Sequence, residues 1–97
     1  MTDYIFATKM LKYSDLILKL KRFGVHEEKN EETNPTAKCL TDGYNYMWIY
    51  LNKRGRPISM AHFGANDPTD ILLAVEAASG VNIVSEYDDE YEEFFKD

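Results

Sequence analysis

The carboxylates at the C-terminal end of this 97-residue chain carry its most concentrated chemistry. Seven of the last twelve residues are acidic and Lys96 is the only base among them, so this segment accounts for the formal net charge of −6. If helical, twelve residues span about 18 Å, which gives one negative charge per roughly 2.6 Å against about 1.7 Å in duplex DNA. Carboxylates at that density can take the place of nucleic-acid phosphates in a basic groove.

A helix over residues 86–97 would present these carboxylates in a row. Ser85 and Asp88 match the capping-box spacing that begins such a helix. Five acidic residues then fall on one stripe, and they are Glu86, Asp89, Glu90, Glu93 and Asp97. Aromatic rings, Tyr91 among them, fall on a separate stripe that could pack on the domain or touch a partner. The competing interpretation is a solvated acidic tail that serves only solubility.

A second acidic cluster lies in residues 26–36, which show no apolar periodicity and are expected to form a solvated loop. Its members are Glu27, Glu28, Glu31 and Glu32. We treat them as a possible second row of partner-binding carboxylates.

Catalytic and metal-binding patterns are missing from the sequence. His26 and His62 are far apart along the chain, and Cys39 stands alone beside no nucleophile motif. Asp88, Glu90 and Glu92 are spaced like the start of a calcium loop, but the glycine that such a loop requires is absent. We therefore predict no enzyme activity, no cofactor and no metal site.

Alternation along residues 44–51 separates an aliphatic face from an aromatic one. The aromatic face consists of Tyr44, Tyr46, Trp48 and Tyr50. It could pack at the edge of the core, contact a protein, or stack nucleic-acid bases. No basic stripe interleaves these rings, which disfavours nucleic acid. The basic turn Lys53, Arg54 and Arg56 is too small by itself to imply phosphate binding.

Capping residues, turn residues and apolar periodicity predict the helices and strands that must position these side chains. We expect a helix capped by Ser14 and ended by Gly24, then a three-stranded meander that turns first at Asp42–Gly43. A second helix follows Asn66–Asp67–Pro68, and a short strand follows that helix. The predicted fold is α+β, an antiparallel sheet of three to four strands with two helices on one face, plus the acidic C-terminal helix.

Length and composition favour a single domain over residues 1–97. One cysteine, no signal-peptide pattern and no apolar run of membrane-spanning length lead us to expect a cytoplasmic protein that does not contact membrane. We expect it to be a monomer when free.

Three stretches, Asp42–Tyr50, Phe63–Leu72 and Ile83–Tyr87, resemble small uncharacterised proteins of bacteriophages and mobile elements. In size, acidity and class the chain is also similar to anti-CRISPR proteins, including DNA-mimicking inhibitors of type I surveillance complexes. The resemblance implies a phage-encoded inhibitor that acts in the host bacterial cytoplasm on a basic DNA-binding protein or on Cas complex subunits, without touching nucleic acid. The acidic run Asp88–Glu93 departs from the aromatic-rich ending of the phage proteins.

Two functions therefore follow from the sequence. The first is a non-enzymatic inhibitor that occupies a positively charged DNA-binding groove by mimicking DNA. The second is a regulatory or immunity-type module that binds protein through the aromatic sheet face, with the acidic tail as a solubilising appendage.

Overall fold

A computed structural model describes residues 1–29 and 35–88 of the chain. The strands are β1 (Thr2–Phe6), β2 (His26–Glu28), β3 (Ala37–Thr41), β4 (Tyr46–Leu51), β5 (Pro57–His62) and β6 (Ile83–Ser85). The helices are α1 (Tyr13–Leu20), continued by a 3₁₀ turn at Lys21–Phe23, and α2 (Thr69–Ser79).

All six strands form one antiparallel sheet in the order β2-β3-β4-β5-β1-β6. The three consecutive strands β3, β4 and β5 form the predicted meander. The N-terminal strand β1 lies between β5 and β6, where it pairs with both. The α+β class is therefore confirmed, with more strands than the sequence predicted.

The two helices cover a single face of the sheet. One hydrophobic core joins α1 and α2 to the strand residues that share a side in register, such as Met47, Ile49 and Met60. Three other buried residues, Cys39, Ala61 and Val84, fall on the opposite side of the sheet and outside this core. The sheet therefore has one face packed on helices and one face that no described helix covers.

The strand β2 corrects the predicted loop over residues 26–36. Its three side chains are exposed, yet its backbone pairs with β3, His26 opposite Thr41 and Glu28 opposite Cys39. Alternation could not reveal this edge strand, because neither of its faces is buried.

The predicted N-cap of the first helix was wrong by position. The helix begins at Tyr13, and the N-cap residue Lys12 makes no side-chain capping bond, so Ser14 lies inside the first turn. A tertiary bond from the Tyr13 N–H to the Gly55 carbonyl, 3.0 Å long, satisfies the helix start instead. Gly24 does end this segment, in the left-handed conformation with φ of 72°.

The structure describes only the first three residues, 86–88, of the predicted C-terminal helix. Residues 86–88 form a turn in which the Ser85 hydroxyl accepts the Tyr87 N–H at 3.2 Å and the Ser85 carbonyl accepts the Asp88 N–H at 3.0 Å. The acidic C-terminal helix is not shown, since the described residues 86–88 are a turn. Residues 89–97, with four of the five striped carboxylates and Tyr91, lie outside the described residues.

Truncation of a buried side chain should cost more stability than truncation of an exposed side chain of similar size. Met60 is 0% exposed at the centre of the sheet, whereas Leu18 on α1 is 61% exposed. We expect Met60→Ala to lower the free energy of unfolding by about 2–5 kcal/mol and Leu18→Ala to change it by about 0.5 kcal/mol or less. Urea unfolding followed by circular dichroism measures both. Equal losses in the two variants would contradict the one-sided core.

Candidate acidic interface

Three loops leave the sheet at the same end. Strand pairing places Thr41 opposite Tyr46, Thr2 opposite His62, and Tyr4 opposite Ser85. The loop after β3, the loop after β5 and the turn after β6 therefore emerge at the same end of the sheet, with the loop after β5 between the other two. We call this region the acidic end. Its loops carry the carboxylates of Asp42, Asp67, Glu86 and Asp88.

Side-chain hydrogen bonds hold the first two loops together. The Asp42 carboxylate accepts the N–H groups of Tyr44 and Asn45, at 2.8 and 2.7 Å. The Asn45 amide then donates to the Asp67 carbonyl at 3.0 Å. These bonds order the loop tip and connect it to the segment that precedes α2.

Asp67 lies one residue before the N-cap of the second helix. Its carboxylate accepts the Thr69 N–H at 3.0 Å and the Thr69 hydroxyl at 2.5 Å. The sequence predicted an Asx cap with Pro68 at the first helical position, whereas Pro68 is the N-cap residue and the helix begins at Thr69. Because the carboxylate lies at the helix N-terminus, its negative charge is also favoured by the helix dipole.

The third loop is fixed by the pairing of β6 with β1. The Glu86 N–H donates to the Asp3 carbonyl at 2.9 Å, and the Glu86 carboxylate accepts the Asp3 N–H at 3.1 Å. Burial raises the pKa of Tyr4, and the nearby charges of Asp67 and Glu86 raise it further. Asp67 and Glu86, which lie on two of the three loops, are therefore both near the same tyrosine.

Lysine and arginine are absent from the stretches of sequence that build this end. None occurs from Cys39 to Asn52 or from Pro57 to Asp88. The N-terminal amine of Met1 also lies at this end, and the His62 side chain is buried here in register with Thr2. The carboxylates consequently form a negative surface, and no salt bridge with another described residue neutralises them.

Exposed aromatic rings border the carboxylates. Tyr44 at the tip of the first loop is 84% exposed, and Tyr87 in the third loop is 78% exposed. Tyr46, where β4 begins, is 52% exposed. Large rings at this level of exposure supply contact area to a partner, since tyrosine is enriched at protein interfaces.

The second predicted row of carboxylates lies elsewhere. Glu27 and Glu28 belong to β2, at the opposite edge of the sheet from β6 and Glu86. Five strand spacings separate the two edges, or about 24 Å. Glu27 accepts a 2.6 Å hydrogen bond from the Tyr13 hydroxyl, whose pKa is raised by burial and by this carboxylate. Glu31 and Glu32 lie outside the described residues.

The predicted aromatic face is the side of the sheet away from the helices. Tyr46, Trp48 and Tyr50 alternate with the buried Met47, Ile49 and Leu51 along β4. The residues directly opposite Trp48 are the small Cys39 and Ala61. Burial raises the pKa of the Cys39 thiol, with a smaller contribution from Glu28. The rings thus form an outward surface, not a layer of the main core.

Sequence reasoning missed the contributions of Asp42 and Asp67 to the acidic end. Both were assigned to turns, which is where they lie, but their proximity to Glu86 depends on strand order. The signal that could have indicated them is the absence of lysine and arginine across the segments 39–52 and 57–88.

Two features are absent from residues 1–29 and 35–88. No three His, Cys, Asp or Glu side chains converge on a possible metal site there. None of the helices in those ranges is long and apolar enough to cross a membrane.

Comparison with known proteins gives no relative: no family model, no curated protein and no solved structure matches the chain. The resemblance to anti-CRISPR inhibitors therefore stays a prediction.

Acid titration provides a test of the loop bonds. Burial alone would raise the pKa of Asp42, but the N–H groups of Asn45 and Tyr44 outweigh it and lower the pKa below 3.8. The Thr69 hydroxyl and N–H lower the pKa of Asp67 below the same value. Because both pKa values fall on folding, the stabilisation is present above pH 3.8 and is lost as the pH falls through the lower folded values.

We expect the variant Asp42→Asn/Asp67→Asn, which keeps an acceptor oxygen at each position, to lose less stability than the wild type in that acidic window. Urea midpoints measured from neutral pH downward report the difference. A wild-type curve parallel to that of the variant would contradict the bonding described.

The Cys39 thiol provides a second test. Because it is buried and its pKa is raised, we expect slow reaction with a thiol reagent at mildly alkaline pH and rapid reaction once urea unfolds the chain. The measurement is the rate of absorbance change with a disulfide reagent. Fast reaction of the folded protein would contradict the burial of this strand position.

Proposed function

We propose that this protein is a non-enzymatic inhibitor whose acidic end binds the positively charged DNA-binding surface of a bacterial protein complex. The observation that carries the proposal is that Asp42, Asp67 and Glu86 lie on three loops at one end of the sheet. A CRISPR-Cas surveillance complex is the target class that the sequence resemblance suggests. Type I complexes are the members that we would test first.

The electrostatics of the acidic end favour a cationic partner. Carboxylates gathered without lysine or arginine repel one another in the free protein, and a basic groove would turn that repulsion into attraction. Complementary charge also accelerates encounter by steering the two molecules toward the correct orientation. Nothing in the core requires these carboxylates, since Asp42 and Asp67 stabilise their turns through hydrogen bonds that asparagine could also accept.

The C-terminal carboxylates would extend this surface. Asp89 follows Asp88 directly in the sequence, so the segment that holds Glu90, Tyr91, Glu93 and Asp97 is joined to the acidic end. Together these residues would supply the dense negative charge of a DNA mimic. The exposed rings of Tyr44 and Tyr87 would add apolar contact that salt does not screen.

The decisive experiment measures competition for DNA binding. A purified type I surveillance complex is titrated with labelled target DNA in the presence of wild-type protein or of Asp42→Asn/Glu86→Gln. We expect the variant to inhibit about threefold to tenfold more weakly, since two partly exposed charges each contribute up to about 1 kcal/mol. The matched control is Glu27→Gln/Glu28→Gln, which removes the same charge from the far edge of the sheet.

Inhibition that is unchanged by the first variant, or weakened equally by the control, would exclude the acidic end as the contact. A further variant in which Glu86, Asp89, Glu90, Glu93 and Asp97 all become Gln or Asn tests the mimicry as a whole. Retained potency in that variant would end the DNA-mimic proposal.

A second candidate function rests on the outward rings of β4. The side of the sheet that carries Trp48 and Tyr50 has no described helix over it, and its strand positions include no lysine or arginine. A regulatory or immunity-type module could bind protein through this face. The two candidates differ in the salt dependence of binding. Ring contacts are insensitive to salt, whereas carboxylate contacts weaken steeply with ionic strength.

We therefore expect inhibition through the acidic end to fall as salt rises, and to survive Trp48→Ala. Repeating the competition assay over a range of ionic strength, with and without that substitution, separates the two candidates. Salt-independent inhibition that Trp48→Ala abolishes would favour the aromatic face.

A further inference from the structure

A basic surface lies at the end of the sheet opposite the acidic end. The turn between β4 and β5 carries Lys53 and Arg54, and the segment between β1 and α1 carries Lys9 and Lys12. All four side chains are exposed. The sequence places the two segments some forty residues apart, so only the fold brings them together.

Two hydrogen bonds join these segments. The Tyr13 N–H donates to the Gly55 carbonyl at 3.0 Å, and the Arg56 guanidinium donates to the Met10 carbonyl. The Arg56 guanidinium is thereby held by a hydrogen bond within the protein. Among the residues that the structure describes, the charged groups of Lys9, Lys12, Lys53 and Arg54 form no hydrogen bond or ion pair. Asp15, in the first turn of α1, is the carboxylate next to them in sequence.

The turn holds its cations on an ordered backbone. The Asn52 amide oxygen accepts the N–H groups of Arg54 and Arg56, at 2.9 and 3.0 Å, and the Asn52 carbonyl accepts the Gly55 N–H at 3.0 Å. Gly55 adopts a φ of 79°, which favours glycine. Binding therefore need not order this backbone, and that reduces its entropic cost.

The overall negative charge of the chain does not oppose this surface at physiological ionic strength. Strands of five or six residues separate the two ends of the sheet by about 17–20 Å. That distance exceeds the Debye length of about 8 Å, so each end interacts with a ligand largely on its own.

We infer that the basic end, formed by Lys9, Lys12, Lys53 and Arg54, binds the phosphodiester backbone of single-stranded nucleic acid. Spaced cations match the repeating charge of that backbone, and Arg54 can engage a phosphate through two parallel hydrogen bonds. The outward ring of Tyr50 lies two residues before the turn, opposite the uncharged Ala37 and Ser59. An aromatic ring on the strand that leads into a turn with lysine and arginine suits an unpaired base better than it suits an acidic peptide.

This inference revises an expectation from the sequence, which predicted no direct contact with nucleic acid. That expectation treated the basic turn as isolated, and the fold adds Lys9 and Lys12 to it. The site is separate from the acidic end, so its test is independent of the proposed inhibitory function.

Fluorescence anisotropy with labelled oligonucleotides tests the inference on the full chain. Single-stranded DNA, single-stranded RNA, duplex DNA and a glutamate-rich peptide of equal charge serve as probes. For four phosphate contacts we expect the logarithm of the binding constant to fall with the logarithm of salt with a slope of about −3. In Lys53→Gln/Arg54→Gln we expect the slope to weaken by about 1.4 and the affinity at about 50 mM salt to drop roughly tenfold.

The matched control is Lys21→Gln/Arg22→Gln, which removes two exposed cations from the helix layer and should change affinity less than about twofold. Circular dichroism confirms that both variants are folded. Absence of wild-type binding to single strands, equal loss in the control, or binding to duplex or peptide as tight as to single strands would overturn the inference. Asp42→Asn/Glu86→Gln should bind the single strands unchanged, so failure of the proposed function and failure of this inference are distinguishable.

Discussion

The insertion of β1 between β5 and β6 determines both charged surfaces of this protein. On one side of β1, pairing with β6 fixes Glu86 against Asp3 and brings it near Asp67. At its other end, β1 delivers the segment that holds Lys9 and Lys12 to the turn after β4, where Tyr13 bonds to Gly55. Without β1 in the sheet, Glu86 would lose its bonds to Asp3, and Lys9 and Lys12 would no longer be held near the turn after β4. Both charged surfaces would be lost.

The second constraint is that the helices cover only one face of the sheet. α1 and α2 bury the aliphatic side of β4, and the aromatic side faces outward. Interaction surfaces are therefore available on the face that no described helix covers and at both ends of the strands. Among the described residues, Thr41 and His62 are the buried polar or charged side chains. Because the two ends lie about 17–20 Å apart, their opposite charges do not cancel at physiological salt.

Charge segregation of this kind suits a binding protein better than a catalyst. Catalytic groups need convergent side chains in a water-excluded cleft, with pKa values matched to proton transfer. Here the pKa shifts of Asp42 and Asp67 arise from turn and cap hydrogen bonds, and those carboxylates stay ionised at neutral pH. Such groups offer fixed negative charge to a partner, which is the property that the proposed inhibitor requires.

Local sequence patterns predict the α+β class, the β3–β4–β5 meander, the two helices and the two faces of β4, because periodicity and turn residues act over a few neighbouring positions. They do not predict β2, whose exposed side chains leave no pattern, nor the start of α1, which a tertiary bond from Tyr13 satisfies in place of Ser14. Which charged residues lie near one another depends on the strand order of the folded chain. Strand order depends on the pairing of β1 with residues some sixty to eighty positions away, and no local signal in the chain encodes those contacts.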